Sequence, residues 1–79
     1  MIVYHKCATF KINGEDIHLY SEELSYGRNT VAEFGDIFYN MGSEPESIST
    51  AIFAWQEVKN RELSSEELRQ TMIDNKLSL

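Results

Sequence analysis

His5, Cys7 and His18 are the side chains of this sequence best suited to hold a metal or attack an electrophile. Neutral imidazole and thiolate are zinc ligands, and a thiol beside a histidine is an activated nucleophile. If the chain folds back at Asn13-Gly14, all three share one side of a hairpin, with Glu22 opposite His5 and Tyr20 opposite Cys7. Such a set offers a tetrahedral zinc site or a small thiol-dependent site. The blander account is a partly solvated strand on which His18 pairs with Thr9. Cys-x-x-Cys spacing is absent, and a structural zinc site built on one cysteine is uncommon. The blander account is preferred, so no catalytic residue, metal or cofactor is assigned.

Other catalytic signatures are missing. The four glycines stand apart at 14, 27, 35 and 42, so no phosphate-cradling loop exists. There is no Gly-x-Ser-x-Gly elbow and no His-Glu-x-x-His helix. Glu22-Glu23 and Glu66-Glu67 are adjacent carboxylates, but neighbours in sequence point different ways and make no acid–base pair. The second pair suits the first turn of a helix, where negative charge meets the positive end of the dipole. The expectation is a protein that is not an enzyme.

The charge map is more informative. The chain carries 13 acids against 7 bases, a net charge of −6. Residues 1–11 hold two lysines and no acid, and residues 59–79 balance four with four. Residues 12–58 hold nine acids and only Arg28, so the net charge is concentrated there. That field repels phosphate backbones, which argues against direct nucleic-acid binding, and attracts a basic protein surface. A carboxylate face that only maintains solubility is the competing account.

Seven of the nine aromatics lie in the same stretch, between Tyr20 and Trp55. Most fit the core, but Phe53 falls opposite the Ile48–Ile52–Trp55 stripe, and Tyr39 sits at the edge of its own. Aromatic groups outside a core stripe and ringed by carboxylates suit an interface anchor with a charged rim. The expected protein-binding residues are therefore Phe53, Tyr39, Asp36 and Glu33, with Glu44 and Glu46 in the rim. Cover of Phe53 by the last helix or by Leu77 and Leu79 is the alternative.

These side chains must be positioned by a hairpin and helices. Ile2, Tyr4, Ala8, Phe10 and Ile12 alternate as a half-buried strand does, and Asn13-Gly14 favours a type I′ turn. The register then pairs Ile12 with Glu15, Phe10 with Ile17, Ala8 with Leu19, Lys11 with Asp16, Thr9 with His18 and Cys7 with Tyr20. Thr30 and Glu33 have capping-box spacing, with Val31, Phe34, Phe38 and Met41 following at helical intervals and Gly42 as a stop. Ser43 and Glu46 make a second box ahead of the Ile48–Val58 stripe. Ser64 and Glu67 make a third, with Leu63 and Leu68 as a hydrophobic staple. The predicted architecture is α+β in the order ββααα: one domain over 1–79, a hairpin over 2–24, and helices near 31–41, 44–60 and 65–75. One long edge strand, blunted in part by Lys6 and Lys11, leaves a homodimer through that edge open.

Length allows one core, and one cysteine excludes an internal disulfide, which favours a reducing, cytoplasmic setting. No apolar run reaches the roughly 20 residues that cross a bilayer, and the alternating N-terminus is not a signal peptide. The order of hairpin and helices, with the helix start Leu63-Ser64-Ser65-Glu66-Glu67-Leu68, resembles the layout of phage tail-assembly chaperones. In size and charge the chain is similar to small acidic phage-encoded inhibitors of host defence. Neither likeness carries a motif, so no residue role is transferred. The sequence predicts an inhibitor, adaptor or assembly factor that binds a protein with a basic surface and does not act at a membrane. A DNA mimic occupying a target's nucleic-acid groove is the alternative.

Overall fold

In the computed structural model, residues 3–77 are described, with side chains from residue 7 onward. Ile2 and Leu79, which entered the expectations above, lie outside them. Asn13 and Gly14 both take positive φ, 49° and 83°, as a type I′ turn requires. They join β1 (Val3–Ile12) to β2 (Glu15–Leu24) in the register the sequence predicts from Ile12↔Glu15 to Cys7↔Tyr20. Beyond Cys7 the expectation fails. A bulge between Cys7 and Tyr4 sets Tyr4, not His5, opposite Glu22.

The larger correction concerns the segment predicted as the first helix. Residues 31–41 do not form one; the chain instead makes a second hairpin, β3 (Gly27–Phe34) and β4 (Ile37–Asn40). Among the described residues the sheet is a four-stranded antiparallel meander in the order β1-β2-β3-β4, and two helices follow rather than three. The ββααα order is therefore overturned, while helices still pack on an antiparallel sheet. Gly35 explains much of this. Mid-helix it costs about 1 kcal/mol relative to alanine. At φ 62°, followed by Asp36 at negative φ, it is the first residue of a type II′ hairpin turn. The two residues of the expected capping box also find other partners. Thr30 is wholly buried and its hydroxyl donates to the Glu44 carbonyl, while Glu33 accepts from the Tyr20 hydroxyl at 2.8 Å.

Strand alternation sorts the side chains. Ile12, Ile17, Leu19, Thr30, Ala32 and Phe34 are buried on one face of the sheet, under the helices. Cys7, Thr9, Lys11, His18, Tyr20, Val31, Glu33 and Phe38 fall on the other, which neither helix of the described residues covers. α1 (Ile48–Lys59) packs over β1 and β2, and α2 (Ser65–Asp74) over β1. Ser47 caps α1, its Oγ accepting from the Thr50 amide at 3.3 Å, so the Ser43–Glu46 box is not used and the helix begins later than predicted. Ala51 and Ala54 let α1 approach the sheet closely, and Trp55 closes the core, its Nε1 donating to Glu15 at 2.7 Å. The Ser64–Glu67 box does form, and Arg61 grips the same Glu67 carboxylate through two bonds of 2.9 and 2.8 Å.

With both helices over the first hairpin, the β4 end is roofed by the 41–47 loop instead. Thr30 ties that loop down, donating its amide to Gly42 at 2.7 Å and accepting from Met41 at 2.8 Å. No helix among the described residues is long and apolar enough to cross a membrane.

Candidate functional site

Between β4 and the first turns of α1 the covered face is left open as a groove of about 300 Å³. Tyr39, Asn40 and Met41 form its sheet side, Ser49, Thr50 and Phe53 its helix side, and Glu44 comes from the connecting loop. Tyr39 and Met41 rest on the core and are half-buried. Phe53 is 51% exposed, although α1 directs Ala51, Ala54 and Trp55 inward on either side of it. It also walls a second hollow, shared with Gln56, Glu57, Asn60 and Arg61. The phenyl ring thus stands as a ridge between two depressions. Glu44 and Glu57, one beside each, are exposed and have no ion-pair partner among the described residues.

Of the six residues expected to bind a partner, the fold brings Tyr39, Glu44 and Phe53 together in this groove. Asp36 is exposed in the β3–β4 turn, near Asp16, His18 and Lys59. Glu33 lies on the uncovered face, holding the Tyr20 hydroxyl. Glu46 is half-buried, with its Oε2 enclosed and without a hydrogen-bond partner. Sequence reasoning missed Met41 and Phe38, both assigned to a helical core. Phe38 is in fact 66% exposed. The Gly35-Asp36 turn was the available signal, because period-2 reading outward from it sends Tyr39 and Phe38 to opposite faces.

The uncovered face carries the side chains first considered for chemistry. Cys7 is exposed and lies across from Tyr20, and His18 Nδ1 pairs with the Thr9 hydroxyl at 2.8 Å. The His5 side chain lies outside the described residues, and its backbone falls in the bulge. Among the described residues no three His, Cys, Asp or Glu side chains are placed to hold a metal ion. Donation to the Glu33 carboxylate pushes the Tyr20 hydroxyl up to about 12, since losing its proton would set two negative charges together. Tyr20, Val31, Glu33 and Phe38 line a shallow, mainly apolar hollow of about 260 Å³ there.

Several acids are spent on the fold itself. Glu15 joins Trp55 and Lys59, and the Lys59 ammonium lowers its carboxyl. The Arg61 guanidinium, which also lies 5.1 Å over the Trp55 ring, holds Glu67 down at about 2. Compared with protein-family models, curated proteins and solved structures, the chain matches none. The groove must be read from its own chemistry.

Proposed function

We propose that this chain is a binding module that acts by occupying another protein, with the β4–α1 groove as the contact. The half-exposed Phe53 ridge carries this reading. A large aromatic ring kept in water at 51% exposure, above a floor of Tyr39 and Met41, has the form of an interface anchor. Unpaired Glu44 and Glu57 at its sides favour a partner that brings lysine or arginine to the rim. The groove is open and shallow, which suits a protein side chain better than a substrate needing exclusion of water.

The test compares wild type with Phe53→Ala as bait in nuclease-treated lysate from the source or host, washed at low and then high salt. A partner that survives high salt and is lost with Phe53→Ala supports the apolar anchor. The melting temperature must stay within a few degrees of wild type, because half of the ring is already in water. A large fall in melting temperature places Phe53 in the core and removes it from the site. A nucleic-acid-binding partner that elutes with salt and competes with DNA supports the mimic instead, since a charge-only contact is screened within about 10 Å at 0.1 M salt.

A further inference from the structure

The groove runs beside a free strand edge. β4 is the last strand of the sheet, and the pairs Phe34↔Ile37 and Ala32↔Tyr39 turn the backbone groups of Ile37 and Tyr39 toward β3. Phe38 and Asn40 therefore point their N–H and C=O groups outward, and no described residue bonds to them. Natural edges are closed by lysine, proline, a bulge or a covering segment. Within Ile37–Asn40 β4 has none of these: its sequence is Ile-Phe-Tyr-Asn and its pairing with β3 shows no register shift, the two-for-one contact of Met41 and Gly42 with Thr30 lying just past its end. The opposite edge is protected at two places. β1 is bent by its bulge, and at Lys11 its amide and carbonyl are both taken by the Asn75 carboxamide at 2.8 Å.

Exposed apolar groups gather at the same place. Ile37 is 42% exposed on the groove face and Phe38 is 66% exposed on the other, while Phe53 stands across the groove from Tyr39 and Met41. Apolar side chains thus project from both faces of a four-residue edge strand.

We propose that the partner enters as an extended segment that adds to β4 as a fifth strand. This rests on the reading of the groove as the binding surface. The segment's backbone pairs with Phe38 and Asn40. Its residue opposite Tyr39 drops a side chain into the groove against Met41 and Phe53, and its neighbours lie on the uncovered face beside Phe38 and Asn40. Recognition calls for apolar side chains at alternate positions opposite Ile37, Tyr39 and Met41, and a lysine or arginine at the flank to meet Glu44 or Asp36. A second copy of the chain does not meet this description. Its β4 offers only four residues, flanked by the same acids Asp36 and Glu44, too little for the roughly 1,200 Å² of a stable dimer. Its one basic strand, β1, already packs Ala8, Phe10 and Ile12 against its own core and has the Lys11 backbone taken by Asn75, so those side chains are not available to enter the groove. The occupant is a basic-flanked strand segment of a different protein.

The experiment pans a phage-displayed library of random nine-residue peptides on the full chain and synthesises the consensus. The expected binder alternates apolar residues and carries lysine or arginine. Methylating its backbone nitrogens one at a time weakens binding at least about tenfold at every second residue and little at those between. On binding, the Phe38 and Asn40 amides become protected from hydrogen exchange, and Phe53→Ala weakens the complex about tenfold. Binding that needs Phe53 but tolerates every methylation overturns strand addition and leaves the groove reading intact. Binding indifferent to Phe53→Ala overturns both. A consensus with helical spacing, or no binder at all, overturns the proposal.

Discussion

Replacing Asn75 by alanine removes the side chain that closes the β1 edge at Lys11. The carboxamide sits at the end of α2 and acts as a one-residue strand: its Oδ1 accepts from the Lys11 amide at 2.8 Å and its Nδ2 donates to the Lys11 carbonyl at 2.8 Å. The same Nδ2 donates to the Thr71 carbonyl at 2.7 Å, tying the edge to the helix. Water can replace the partners of the two exposed Lys11 bonds, so each contributes the low end of about 0.5–1.5 kcal/mol, and the part-buried Thr71 bond contributes nearer the middle, roughly 2 kcal/mol for the set. In a domain of this size 1 kcal/mol moves the melting temperature by about 4–8 °C, so Asn75→Ala should melt roughly 10 °C below wild type. Thermal scans by circular dichroism at pH 7 check the shift. Asn75→Asp is the informative companion. It keeps the acceptor, loses both donations and sets a carboxylate against two carbonyl oxygens, so it should fall at least as far as alanine. As pH drops and the carboxyl gains a proton it can donate again, and part of the loss returns. Sedimentation velocity should also show self-association in Asn75→Ala, because the edge is open at Lys11. An Asn75→Ala protein that melts within 2 °C or so of wild type refutes the reasoning, since the bonds would then contribute no more than water does.

Three further outcomes follow from the geometry. Glu67 is held at about 2 against an ordinary 4.5, so its contribution is complete above pH 4.5 and is lost as pH falls toward 2; melting temperatures across that window should drop for wild type and change less for Glu67→Gln. Tyr20 is raised to about 12 from 10, so its contribution is present below pH 10 and lost as pH rises through 12; phenolate absorbance should show a late-titrating tyrosine that Tyr20→Phe removes, and Glu33→Gln should bring its titration back toward 10. Gly35→Ala separates hairpin from helix by sign: in a helix interior it stabilises by about 1 kcal/mol, whereas at φ 62° it destabilises by roughly 1–2 kcal/mol, seen as a lower denaturation midpoint in urea.

The first hairpin was legible because three independent cues agreed: alternation, the Asn-Gly turn, and the opposite charges of Lys11 and Asp16, which lie 3.9 Å apart. The last helix was legible because Ser64, Glu67, Leu63 and Leu68 fill every position of one local motif, and local motifs need nothing from the rest of the chain. The bulge at residues 4–7 left no such mark, and the His5–Glu22 pairing failed with it. The start of α1 was misplaced because Ser43 and Ser47 both precede plausible first turns. What decided between them was tertiary: the Thr30 hydroxyl holds the Glu44 carbonyl, so residues 41–47 are committed to the loop.

Residues 27–40 were misread for a reason that bears on function. Val31, Phe34, Phe38 and Met41 lie close enough to helical spacing that one stripe can bury them all, and a reading that buries every aromatic looks self-consistent. Period 2 divides the same residues. Phe34 goes to the core and Val31 and Phe38 to the uncovered face, while Tyr39 and Met41 go to the groove. The hairpin therefore leaves Phe38 and Ile37 in water where the helix would have hidden them, and it replaces satisfied helical amides with the open edge of Phe38 and Asn40. An isolated chain gains no stability from that arrangement. Exposed apolar side chains and unpaired strand groups are both features that proteins ordinarily remove. Their concentration on one four-residue strand, next to a groove walled by a half-exposed phenylalanine, gives all three a common explanation in one bound segment. The acidic residues first read as the interface then take a different part. Glu33 holds the Tyr20 hydroxyl, and under the strand-addition proposal Glu44 and Asp36 would select by charge what enters. On that proposal the contact is made by the backbone of β4, which no inspection of side-chain types reveals.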